Sequence, residues 1–199
     1  MSLQIDPPVS LGQTFADGGA TSSTGANWAG VVKLFPDVNP ITGRIRSARV
    51  KKCVLVRNAS GVTLYPAKRG LSFVAGSFSA VDGYHRTDGT ASTAVAGVGD
   101  EFLPSSGVAA NDLFWVTVEG PTEILVSSST ITADDLLVAA TAATTAKTNA
   151  SSTGGYAATA NATTAQGIPA IGVVYGRALS TAAASGPVLA LVGPRTLGD

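Results

Sequence analysis

Leu113-Phe114-Trp115-Val116-Thr117-Val118-Glu119, then Gly120-Pro121, then Thr122-Glu123-Ile124-Leu125-Val126, is the stretch whose reading decides the fold. Two runs rich in β-branched and aromatic residues flank a two-residue breaker, which predicts two strands joined as a hairpin. Gly-Pro is not a favoured hairpin dipeptide, so the turn type stays open. Downstream, Ile131 to Val138 reads as a turn into a short strand, and two further strands close the chain at Ala170–Leu179 and Pro187–Val192. Upstream, Val50, Val54 and Val56 mark a strand ending at Asn58-Ala59-Ser60-Gly61, followed by an extended piece Val62–Tyr65 and a strand at Leu71–Gly76. Residues 76 to 107 are Gly-rich and poorly periodic, and predict a long surface excursion with one short strand near Ala94–Val98. Many short strands with Gly and Pro turns and little convincing helix give a mainly β chain, a small barrel or sandwich of short antiparallel strands.

Two segments stand apart from that pattern. Residues 1 to 27 read as an extended arm, because Pro7 and Pro8 forbid helix and Asp17–Gly25 is a polar, Gly-rich tract with nothing to bury. Trp28 to Phe35 then concentrates apolar and aromatic groups, either as the first strand of the domain or as an anchor for another subunit. Residues 139 to 166 are almost wholly Ala, Thr, Ser, Gly and Asn, without the large apolar groups that dock a helix, and predict a surface loop or insertion. The resulting division is an arm and basic connecting segment over 1–48 and a β-rich domain over 49–199.

Composition narrows the function. The chain of 199 residues holds one histidine, one cysteine and 13% charged side chains, and enzymes need convergent titratable groups or metal ligands. His85 lies in Asp82–Thr90, the one tract where a histidine, acids and hydroxyls crowd together, but its glycines and aspartates already explain it as turns. Asp100-Glu101 and Asp134-Asp135 lack the spacing of a cation loop and read as turn acids or as salt-bridge partners of a basic segment. Cys53 has no partner for a disulfide and reads as a buried thiol. No catalytic, cofactor or metal site is expected. No stretch reaches the ~20 apolar residues of a membrane helix, and the N-terminus lacks the blocks of a signal peptide. Asn58, Asn149 and Asn161 each begin a glycosylation pattern, a chance match in a Ser/Thr-rich chain.

Charge is balanced overall but unevenly placed. Residues 33 to 69 carry nine Lys and Arg against Asp37 alone, a balance of +8, whereas residues 70 to 199 carry four basic and ten acidic side chains, a balance of −6. Such asymmetry marks a partner surface or head-to-tail complementarity. Nucleic acid fits it poorly, since only Phe35 and Tyr65 offer stacking rings in the basic segment.

Two stretches carry a family resemblance. Asn58-Ala59-Ser60-Gly61-Val62-Thr63-Leu64-Tyr65-Pro66-Ala67-Lys68-Arg69-Gly70-Leu71 resembles the opening of bacteriophage capsid decoration, or cement, proteins: a strand, a small-residue turn and the step into a β-barrel. Gly172 to Val192 is similar to their closing hairpin, where Gly176-Arg177-Ala178-Leu179 and a small-residue loop lead into the last strand. The resemblance implies a virion protein, made in the host cytoplasm, that binds the major capsid protein on the outer surface of an icosahedral shell. It implies a homo-oligomer, with a trimer favoured, and neither catalysis nor a cofactor. Trp28, Phe35, Arg44, Arg46 and Arg49 are then the candidate capsid contacts. The alternative is a receptor-binding or adhesive β-module of a virion fibre or spike, with Tyr84 and Tyr156 as candidate glycan contacts.

Overall fold

The computed structural model describes residues 9–16, 28–74, 76–84, 95–126, 131–139, 157–159, 174–181 and 186–193. Among these the chain is mainly β, with no helix. Eleven strands follow in order: β1 (Phe15–Ala16), β2 (Val32–Val38), β3 (Ile45–Asn58), β4 (Gly70–Phe73), β5 (Ala80–Tyr84), β6 (Val95–Gly99), β7 (Asp112–Leu125), β8 (Leu136–Ala139), β9 (Ala157–Thr159), β10 (Val174–Ala178) and β11 (Pro187–Val192). His85, Tyr156, Asn149, Asn161 and all of 139–166 except Ala139 and β9 lie outside the described residues.

The long strands β3 and β7 organise the molecule. Pairing runs β3 to β5, β5 to β4, β4 to β6, β6 to β7 and β7 back to β3, so five strands close into an irregular ring. All of these pairs are antiparallel except β3–β5, which is parallel. The ring encloses Val54, Val56, Leu71, Val81, Phe114 and Val116, which alternate along their strands as a two-residue period requires. The short strand expected near Ala94–Val98 is present as β6, whereas the rest of the excursion expected over 76–107 is in part corrected: β5 is a further ring member, and Val81 and Val98 are fully buried. Gly83 obscured the alternation of β5. Gly97 and Gly99 are needed because a side chain at either would collide with the backbone of Thr117 or Pro66.

The expected hairpin at Gly120-Pro121 is also corrected. β7 runs unbroken for 14 residues and changes sheets at the breaker. Its first half pairs with β3 and β6; from Gly120↔Val192 to Leu125↔Pro187 it pairs with β11, and β10, β8 and β9 extend this second sheet. Gly120 has φ +108°, and a Cβ there would lie 2.4 Å from the Val50 carbonyl oxygen. The glycine thus lets β7 bend against β3 without leaving the strand. Ile124, Val126, Leu137, Val188, Ala190 and Val192 form the core of this second sheet. The closing hairpin is present as β10–β11, in register from Gly176↔Val192 to Ala178↔Ala190.

The boundary expected after residue 48 falls inside β3. Residues 32–38 are the edge strand of the same sheet, paired to β3 from Val32↔Val54 to Val38↔Ile45. Asn39 closes that hairpin: its Oδ1 accepts the N–H groups of Ile41 and Thr42, and its carbonyl accepts Gly43 N–H. Of the stretch Trp28 to Phe35, residues 32–35 thus lie in this edge strand. Residues 9–16 pack on the outer face of the ring, where Val9, Leu11, Trp28 and Phe35 cover Cys53, Leu55 and Trp115. Trp115 Nε1 donates to the Val9 carbonyl at 2.9 Å, and Asp100 accepts Gly12 N–H.

Candidate functional site

The basic stretch is divided by the two faces of the β2–β3 hairpin. On one face Arg46 and Lys51 turn inward onto buried acids. Arg46 reaches Asp37 at 2.6 Å and Glu101 at 3.0 Å, and lies 3.6 Å from Glu123. The Lys51 ammonium, 1% exposed, contacts Glu101 and stands 5.5 Å from the Phe102 ring centre. Lys68 closes the group on Glu123 at 2.6 Å. Burial works to lower the Arg46 pKa, but hydrogen bonds and charge from Asp37 and Glu101 outweigh it and raise the value. Glu101 is thus the salt-bridge partner of the basic segment that the acidic pair suggested. The network ties the root of the hairpin to the loop after β6 and to β7.

The other face is open. Leu34, opposite Lys52, is 62% exposed and Val50, opposite Pro36, is 54% exposed, with Val32 also exposed. Apolar groups alternate to the solvent side here because the opposite set, Phe35, Cys53 and Leu55, fills the layer beneath the arm. At the hairpin tip Ile41 and Ile45 project further still, and among the described residues β2 has a strand partner on one side only. A seven-residue edge with exposed apolar side chains is the feature that soluble β-proteins normally suppress.

This face forms one wall of a groove of ≈ 670 Å³ between the two sheets. Leu34, Val50 and Lys52 stand on one side, Arg177, Leu179 and Leu191 on the other, and the β7 crossing at Gly120-Pro121 is the floor. Arg49 and Glu119 also line it. Arg49, Lys52 and Arg177 have no ion-pair partner among the described residues, unlike Arg46, Lys51 and Lys68. The groove is therefore apolar in its walls and carries three cations against one carboxylate.

The five residues singled out from the sequence separate. Arg49 reaches the groove. Arg46 belongs to the buried network, and Arg44 sits exposed at the hairpin turn, where its carbonyl accepts Asn39 N–H. Trp28 and Phe35 face the arm layer: Trp28 lies 5.3 Å from the Phe15 ring, and Phe35 meets Trp115 edge-on at 5.1 Å. Sequence reading missed Leu34, Lys52, Leu179 and Arg177. The alternation Val32, Leu34, Pro36 was a detectable signal for a two-sided strand, but the approach of Arg177 to Lys52 depends on the β7 crossing. Asn58 is fully buried, its amide nitrogen within 3.0 Å of the Val62, Val108 and Ala109 carbonyls, so it closes the turn rather than offering a glycan acceptor. Among the described residues no group of His, Cys, Asp and Glu is placed to hold a metal ion, and no helix is long and apolar enough to cross a membrane.

No protein-family model matches the chain, and no curated protein matches it. Among solved structures it is similar to the N base of the head fiber gp8.5 in bacteriophage phi29, with a TM-score of 0.41 and 15% sequence identity, over 74% of this chain and 99% of that one.

Proposed function

We infer that this chain is a non-enzymatic phage virion structural protein that binds the outer surface of an icosahedral capsid and stabilises the shell. The observation that carries the reading is the open face of the β2–β3 hairpin: an edge strand with exposed Val32 and Leu34 beside exposed Val50 of β3, tied down by an internal ion network and rimmed by cations without ion-pair partners among the described residues. A monomer has no use for such a face, whereas repeated weak contacts around a shell add up through avidity. The resemblance of 58–71 and 172–192 to capsid decoration proteins supports the same reading.

Co-sedimentation with shells assembled from the candidate capsid protein tests it. Saturable binding at a lattice-related stoichiometry is expected, with occupancy lost in Leu34→Asp, whose site is exposed enough to leave the fold intact. Absence of binding to intact, expanded shells, together with binding to host cells, would replace this reading with the adhesive fibre or spike module.

A further inference from the structure

We propose that the groove between the β2–β3 and β10–β11 hairpins binds an extended acidic peptide, one whose carboxylates alternate with apolar side chains. The inference rests on the attachment reading and names the chemistry of the partner segment. Two observations select this ligand. Arg49, Lys52 and Arg177 surround the groove without ion-pair partners among the described residues, so the site has an excess of positive charge that only an anionic ligand matches. The walls between these cations are aliphatic, namely Leu34, Val50, Leu179 and Leu191. A ligand must therefore present apolar groups and carboxylates on the spacing of a strand, which an extended peptide does and a compact dianion does not.

Nucleic acid is disfavoured because, among the described residues, no aromatic side chain lines the groove for a base to stack on. A second copy of this chain also fits poorly. Its exposed carboxylates among the described residues are Glu119, which is already in the groove, and Asp134, which sits at φ +73° in a tight turn. Neither belongs to an exposed extended segment.

The test is fluorescence anisotropy of the full chain with a short fluorescein-labelled peptide alternating leucine and glutamate. Saturable binding is expected that weakens with salt and weakens about tenfold or more in the Arg49→Glu, Lys52→Glu double variant, as the loss and reversal of two partly exposed ion pairs requires. A peptide alternating leucine and lysine is expected not to bind. Equal binding of both peptides, full affinity in the double variant, or equal competition by oligo-dT would overturn the proposal. So would sedimentation showing a dimer that dissociates in Leu34→Asp and excludes the peptide, since the occupant would then be a second copy. Shell binding that survives the double variant sinks this inference alone, whereas peptide binding by a protein that ignores shells sinks the capsid reading alone.

Discussion

Asp100 shows how a residue's role can be invisible in sequence and plain in structure. Next to Glu101 it reads as half of an acidic pair, yet it is 2% exposed and accepts N–H groups from Gly12 and Phe102. Burial pushes its pKa up from 3.8 to about 6, against the opposing pull of those hydrogen bonds and of Lys51. Between these values the native state holds a proton that the unfolded chain has released, so this group's contribution is complete below pH 3.8 and is lost as pH rises through 6. A shift of about two units corresponds to roughly 3 kcal/mol. Urea unfolding at about pH 4 and pH 7 should therefore show the parent losing up to about 3 kcal/mol more than Asp100→Asn over that interval. Parallel profiles for the two proteins would show that Asp100 does not titrate in this range. Cys53, by contrast, was legible from its strand: it is fully buried, and burial pushes its thiol up to about 12. The difference is that a cysteine in a β-branched run carries its own burial signal, whereas the burial of Asp100 is imposed by residues 88 positions away.

At the level of elements, the strands were legible wherever alternation or β-branched runs marked them, as in β3, β4, β10 and β11. The misreadings fell where glycine replaced a side chain. In β5 it removed the alternation, and in β7 it imitated a hairpin turn that is really a passage between sheets. That distinction has a direct test in Gly120→Ala. A Cβ at this position meets the Val50 carbonyl oxygen at 2.4 Å and must also adopt φ +108°, so both the β3–β7 ladder and the start of the β7–β11 ladder are strained. The expected cost is about 3 kcal/mol or more, combining an unfavourable backbone conformation with a collision in a packed sheet. Gly61→Ala is the control: Gly61 has φ +77° but nothing within 4 Å of the added atom, which leaves the conformational cost of about 1–2 kcal/mol. Equilibrium denaturation that found the two variants equal would place Gly120 in a free turn. Because the groove floor is this same crossing, Gly120→Ala should also weaken whatever the groove binds.

At the scale of the whole molecule, the charge block at 33–69 suggested one basic surface, and the fold makes two different things of it. Arg46, Lys51 and Lys68 neutralise Asp37, Glu101 and Glu123 within the body, while Arg49 and Lys52 are left to the groove. Sequence spacing alone could not assign them, because the sorting depends on which face of β3 each residue takes and on acids that arrive from distant loops. The same pairing runs past the division expected at residue 48, which falls inside β3. An arm ending there could be removed without harm, but β2 lies along β3 for its whole length and Phe35 rests on Trp115. Removing residues 1–35 should consequently abolish cooperative unfolding, since Cys53 and Leu55 lose their cover and β3 its neighbour. Removing residues 1–16 should act more mildly. It strips Val9, Leu11 and the Val9 carbonyl from Trp115, worth roughly 3–4 kcal/mol as a buried aliphatic group and one hydrogen bond. The ring and second-sheet cores use no residue before 54 and are left intact. The shorter truncation should thus unfold cooperatively at lower denaturant, with a red-shifted tryptophan emission from the uncovered Trp115. A molten 1–16 truncation would mean that the arm nucleates the body; a cooperative 1–35 truncation would mean that β2 is an appendage after all.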